Sequence, residues 1–315
     1  MKKVILPILG GIGNQFFQLS ALKNLAKGMN ITVDSTLFTA QSDREQVQIG
    51  YREPQSEISF HDYNRLNWPS RRVSGILLRI AHWQKMGKGR KYLFTSVARV
   101  AELILTIRYN EKVRVIVAAN IGYEVISLSV QSDCIFLLGY FQSYRYHSTR
   151  ENLGFLQLTD YKDKSVITAL HELAISDRPM IVHVRRGDYK NNPQIGLLSR
   201  QYYLEMIPKV FKATNAGSIW FFTNDHELGF TFIPESLHGV TKLMNSIFLS
   251  DLETLEIMKL GHAYLLANST YSWWAAYLSN APAENIFIPD PWFANAVSPS
   301  QMSPEEWNRV EAIFE

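Results

Sequence analysis

Four short segments hold residue types that could do chemistry together, and each follows an apolar run. The first is Gly10-Gly11-Ile12-Gly13-Asn14-Gln15. Glycines let a backbone approach a ligand closely, and amides exposed at a helix start favour an anion. Asn14 and Gln15 add side-chain amides suited to hydroxyls or phosphate, with a tight turn as the competing reading. Phe16 stands where a dinucleotide fingerprint needs its third glycine, and no Gly-Lys-Ser/Thr follows to make a Walker loop.

The second segment is His183-Val184-Arg185-Arg186-Gly187-Asp188-Tyr189. Two guanidiniums offer planar forks for phosphate oxygens, each charge-assisted bond worth about 1.5–3 kcal/mol. The structural alternative for one of them is an ion pair between Arg186 and Asp188. His183 alternates with Val182 and Val184, so it reads equally as a hydrogen-bonded core histidine. The third segment, Phe221-Phe222-Thr223-Asn224-Asp225, ends a strand pattern in polar groups able to read a ribose or base, or to cap a helix. The fourth, Asn268-Ser269-Thr270-Tyr271-Ser272-Trp273-Trp274, feeds hydroxyls onto a helix start, an anion site or a simple cap, with both tryptophans in the core. There is no Asp-x-Asp pair, no Cys/His cluster with zinc spacing and no Gly-x-Ser-x-Gly elbow. Asp225-His226-Glu227 is the nearest, weak substitute for a carboxylate pair, so a diphosphate leaving group must rely on the arginines.

The elements that would position these segments form an alternating α/β pattern. Val4–Leu9 reads as a buried strand, followed by a helix through Phe16, Leu19, Leu22 and Ala26. The N-terminal Met-Lys-Lys and apolar run mimic a secretory signal, but Pro7 and the glycine segment argue for strand and loop. Residues 41–70 show no clear period. Two amphipathic helical stretches fill 71–108, parted near Met86–Gly89. Beyond a polar helix at 160–179, strands are expected at Met180–Val184, Ser218–Thr223, Ala263–Ala267 and Asn285–Ile288. Helices are expected over Tyr202–Phe211, ended or kinked by Pro208, and over Asp251–Leu260, capped by Ser250. Ser303-Pro304-Glu305-Glu306 reads as a capping box opening a last helix. Alternating βα units predict parallel sheets.

The 315 residues suffice for two domains without disulfides, and Cys134 stands alone. No apolar run is long enough to span a membrane. The net charge of +3 conceals an asymmetry. Residues 71–114 hold eleven Arg or Lys against two acids, a local +9, while the remaining 21 basic and 27 acidic residues give −6.

At the four segments the chain resembles the bacterial α-1,2-fucosyltransferases of glycosyltransferase family 11, with the motifs in the family's order from residue 10 to 274. The resemblance implies an α/β fold of GT-B type, two Rossmann-like domains facing a cleft. It implies inverting, metal-independent transfer of fucose from GDP-β-L-fucose, a co-substrate, to the 2-hydroxyl of a terminal β-galactoside. No cofactor and no metal is expected. Catalytic roles would fall to Arg185 on the diphosphate, His183 in support and Asp188 as candidate base or salt-bridge partner. Donor contacts would come from Gly11, Gly13, Asn14, Arg185, Arg186, Asn224, Asp225, Ser269 and Thr270. Asn224 departs from relatives that carry an acid there, which puts a paired-carboxylate role in doubt.

The implied domains are 1–172 on the acceptor side, 173–290 on the GDP-fucose side, and a helix in 291–315 packing back on the first. The acceptor would be a galactoside-terminated glycan of an O-antigen or other surface polysaccharide, a lipid-linked form included, in the cytoplasm. Residues 71–114 would then dock on an anionic membrane, or form a solvated helical face. Nucleic acid is set aside, since the arginines best placed for phosphate serve a nucleotide sugar. The alternatives are a GT-B transferase using another GDP-sugar or acceptor, and a non-catalytic nucleotide- or glycan-binding protein.

Overall fold

A computed structural model describes residues 3–8, 10–34, 58–61, 76, 91–118, 122–147, 164–244 and 249–315. The chain divides into two compact units, Met1–Gln157 with Pro299–Met302, and Leu158–Ser298 with Ser303–Glu315.

The first unit contains β1 (Lys3–Pro7), α1 (Ile12–Leu25), β2 (Asn30–Asp34), β3 (Ile58–His61), α2 (Lys91–Tyr109), β4 (Val113–Val117) and β5 (Cys134–Leu138). Its sheet has the order β3-β2-β1-β5-β4, and every pairing is parallel. Parallel strands covered on both faces must be apolar throughout. Val4–Leu6 and all of β5 are accordingly buried. Helix α1 is sunk on nearly every side, through Phe16, Phe17, Leu19, Ala21 and Leu22. Helix α2 lays Ala101 and Leu105 on Ile5, Phe136 and Leu138. Of the two helical stretches expected over 71–108, the second is α2. The first lies outside the described residues except Ile76, which is helical. Strand β3, in the stretch without clear period, was not expected.

The second unit contains α3 (Lys164–Asp177), β6 (Pro179–Val184), α4 (Arg200–Thr214), β7 (Ser218–Thr223), β8 (Thr241–Leu243), α5 (Asp251–Met258), β9 (Ala263–Leu265), α6 (Thr270–Leu278), β10 (Ile286–Asp290) and β11 (Asn308–Glu311). Its sheet order is β11-β10-β9-β6-β7-β8, again parallel throughout. A boundary at 172/173 would cut the continuous helix α3, so the division falls before that helix.

Two expectations are corrected. Pro208 does not end α4, which runs on to Thr214. A mid-helix proline costs about 3 kcal/mol. Burying Tyr202, Tyr203, Ile207 and Val210 contributes roughly 1.5–3 kcal/mol each and outweighs it. The helix expected from Ser303 is instead strand β11 in the second unit, its side chains alternating half-buried and exposed. Pairing with the open edge of β10 overrides the local capping pattern, and Val310, Ile313 and Phe314 pack on the cluster around Tyr203 and Phe221.

Among the described residues no helix is long and apolar enough to cross a membrane. The cap expected at Ser250 is a complete capping box. Its hydroxyl accepts from the Glu253 amide, and the Glu253 carboxylate accepts from the Ser250 amide at 2.9 Å. Replacing Ser250 with Ala should cost about 1 kcal/mol, visible as a lower urea midpoint with an unchanged m-value.

Candidate active site

In open α/β sheets the ligand crevice lies beyond the carboxyl ends of strands, where the strand order reverses. In the second unit the chain builds β7 and β8 on one side of β6, then crosses to β9 on the other. Strand β6 ends at Val184 and delivers Arg185. Strand β7 ends at Thr223 and delivers Asn224 and Asp225. Strand β9 leads through Leu266 and Ala267 to Asn268, Ser269 and Thr270. The second, third and fourth motifs therefore meet at one edge of one sheet.

Several hydrogen bonds pin the loops there. The Tyr189 hydroxyl donates to the Asn268 carbonyl at 3.2 Å, and the Asn268 amide donates to the Gly196 carbonyl at 3.1 Å. His183 is buried, with its ring 6.0 Å from that of Tyr271, while its carbonyl accepts from the Tyr203 hydroxyl at 3.1 Å. Burial, and then the charge of Arg185, push the His183 pKa down to about 3. The ring is therefore neutral near pH 7 and adds no second charge beside Arg185. The Arg185 side chain is half-buried, its guanidinium 5.6 Å from the Tyr189 ring centre.

Arg186 behaves differently from Arg185. Its fork donates to both carboxylate oxygens of Glu315, at 2.6 and 3.0 Å. Its Nε lies 4.0 Å from Asp225, and its guanidinium lies 5.4 Å from the Phe232 ring centre. The partner of Arg186 is thus Glu315. Asp188 sits on the short 3-10 turn Gly187–Asn191, and its side chain lies outside the described residues.

Asn224 and Asp225 also serve the turn. The Asn224 Oδ1 accepts from the Arg186 amide at 2.9 Å. A Cβ on Gly187 would meet Asn224 Nδ2 at 2.2 Å, so this close approach requires glycine. Asp225 accepts from the Lys190 ammonium at 2.8 Å, and that bond holds its carboxyl below the usual carboxylate range. Ser269 occupies the N-cap position of α6, yet its side chain makes no capping bond, so the simple-cap reading fails. Thr270 is half-buried at the first helical position, while Trp273 and Trp274 are fully buried, as expected of core.

The glycine motif lies in the first unit, at the corresponding reversal between β2 and β5 around β1. Gly10 has φ +76°, and a Cβ there would fall 2.6 Å from Asn14 Nδ2. Gly11 is the exposed N-cap of α1, whereas Gly13 is buried inside the helix. Gln15 donates to the Gly10 carbonyl at 2.9 Å and so braces its own loop. The Asn14 Oδ1 accepts from Gln142 Nε2 at 2.7 Å. Gln142 follows β5, and the sequence reading missed it, as it did Lys190 and Glu315. A glutamine or a single charge in a loop has no local signature, and Glu315 lies far along the chain from Arg186. Among the described residues no group of three or more His, Cys, Asp or Glu could hold a metal ion.

Residues 90–311, more than half of the chain, match the family Glycosyl transferase family 11. The chain belongs to glycosyl transferase family 11. An α-1,2-colitosyltransferase of Escherichia coli is 30% identical over 149 residues, covering 41% of this chain and 47% of that protein. The O-antigen biosynthesis glycosyltransferase WbnK of Escherichia coli is 29% identical over 131 residues, covering 40% of this chain and 42% of that protein. The chain thus spans less than half the length of the curated relatives it matches. The solved fucosyltransferase NodZ from Bradyrhizobium shares 13% identity, with 88% of this chain and 93% of that chain covered and a TM-score of 0.49. Membership in glycosyl transferase family 11 and the parallel α/β build of both units agree with the sequence reading.

The state of His183 has a measurable consequence. In the unfolded chain its ring protonates below about pH 6.5, whereas in the native state it resists protonation until about pH 3. Stability is therefore full above pH 6.5 and falls as pH drops toward 3, by at most about 1.4 kcal/mol per pH unit for this ring. A His183→Gln variant should flatten that fall in thermal unfolding scans run from pH 7 to pH 4.

Proposed function

We propose that this family 11 glycosyltransferase moves L-fucose from GDP-β-L-fucose to the 2-hydroxyl of a terminal β-galactoside, with inversion and without a metal. The observation that carries the reading is the meeting of Arg185, Asn224 and Ser269–Thr270 at the reversal between β6 and β9. Charge builds on the departing GDP as the glycosidic bond breaks. A fixed guanidinium and the amides of a helix N-terminus stabilise that charge without reorganising. Direct displacement by the acceptor needs no enzyme nucleophile, only a base for its hydroxyl, for which Asp188 is the candidate. His183, neutral and buried beside Arg185, supports that side chain. Asp225 reaches the guanosine end of the donor while paired with Lys190. Gly11 and Asn14 of the glycine motif are proposed as further donor contacts.

The name of the colitosyltransferase relative favours a second reading of the donor. Colitose is fucose without its 3-hydroxyl, so the same diphosphate site would serve either sugar. The O-antigen glycosyltransferase favours a surface-polysaccharide acceptor. In the cytoplasm a lipid-linked form of that acceptor would bring the enzyme to an anionic membrane. Helix α2 suits this, for Val100, Leu103, Ile104 and Ile107 form an exposed apolar stripe inside the +9 segment.

The wild-type chain should convert GDP-fucose and lactose to an α-1,2-linked product in EDTA, with GDP-colitose as competitor to rank the donors. Arg185→Lys should lose at least about 100-fold in kcat/KM, because one ammonium does not replace the fork. Full loss of turnover in EDTA, or an unaffected Arg185→Lys enzyme, would contradict the assignment. Co-sedimentation with phosphatidylglycerol vesicles should fall when Arg99 and Lys112 are replaced by Glu. Unchanged partition identifies this basic segment as a solvated face.

A further inference from the structure

Arg186 is half of a tandem pair at the donor edge, yet its fork is already filled. Both terminal nitrogens bond the Glu315 carboxylate, the third nitrogen faces Asp225, and the plane lies over Phe232. Only 15% of the side chain is exposed. Bidentate pairing of this kind is the strongest geometry available to an arginine and also the geometry in which it would hold a phosphate. One fork does not serve both.

The place of Glu315 is set by backbone bonds. The Ser199 amide donates to the Ile313 carbonyl at 2.7 Å, and the Glu315 amide donates to the Leu197 carbonyl at 2.9 Å. Leu198 and Phe314 form an antiparallel bridge between them. Gly196, at φ +77°, lies so close that a Cβ would come 2.9 Å from the Phe314 ring. The carboxylate is thus carried by the segment that closes the sheet after β11, and it meets the turn that follows β6. The same turn is held from its other side by Asn224, which accepts from the Arg186 amide.

Building on the donor site proposed above, we infer that Glu315 is a positioning residue: by occupying the Arg186 fork it fixes the 185–187 turn and leaves Arg185 as the arginine that meets the diphosphate. Without the carboxylate, Arg186 remains largely buried with Asp225 as its nearest counter-charge. It would then compete with Lys190 for that group and pull the turn with it. Removing the carboxylate leaves the Arg186 guanidinium, the less exposed member of the pair, without its bidentate partner, so the turn takes the strain.

The test compares wild type, Glu315→Gln and Glu315→Asp in GDP calorimetry, donor kinetics and thermal unfolding. Glu315→Gln should weaken GDP about tenfold and raise the donor KM in parallel, with a smaller effect on kcat. Glu315→Asp, which keeps the charge, should recover part of the affinity. A Glu315→Gln protein with a lowered Tm but wild-type GDP affinity would overturn the inference and leave a purely structural ion pair. Tighter GDP binding by that variant would also overturn it, by showing that the carboxylate competes with phosphate. Absence of GDP binding by the wild-type chain would defeat the donor assignment itself, and the inference with it. Binding by wild type with no response in the variants would defeat the inference alone.

Discussion

Everything at the candidate site follows from β6 being a central parallel strand, bonded to β7 on one side and β9 on the other. Such a strand has no solvated face, and all six of its residues are buried. No charge is tolerated there until the strand leaves the sheet, and the first residue beyond it is Arg185. Because the chain builds outward from β6 in both directions, the strand order reverses between β6 and β9, the position where open α/β sheets bind ligands. The apolar run that makes the strand is thus also what places the arginine.

Two adjacent arginines sit in different electrostatic surroundings. Lys190, Asp225, Arg186 and Glu315 form a chain of alternating charges that is locally neutral. His183 stays uncharged in its apolar setting. In the proposed donor site, the positive potential that meets a diphosphate comes from Arg185 and the start of α6. A neutral histidine next to a charged arginine keeps that potential at one unit in the proposed site.

Much of this was legible in the sequence, and the reasons are physical. Buried parallel strands announce themselves as short apolar runs, so β1, β6, β7, β9 and β10 could be placed. All four motifs follow such runs. The capping box at Ser250 is a local device and was readable as such. What stayed hidden depends on distant pairing. Strand β11 looked like a helix because Ser303 to Glu306 carry capping residues, and only the open edge of β10 decides otherwise. Pro208 looked like a stop or a kink, and the stop fails because its cost is local while the burial that offsets it is tertiary. Glu315, Lys190 and Gln142 have no sequence signal at all. Gly13 looked like part of a loop and is a helix residue, and Gln15 looked like a ligand and braces its own turn.

The most direct test of the donor assignment is a crystal structure of the chain with GDP bound. The account predicts the diphosphate at the reversal between β6 and β9, within hydrogen-bond reach of the Arg185 guanidinium and of backbone amides at the start of α6. The Arg186–Glu315 pair should remain intact in that complex. Diphosphate seated on Arg186 with Glu315 displaced, or GDP bound away from the ends of β6 and β9, would contradict it.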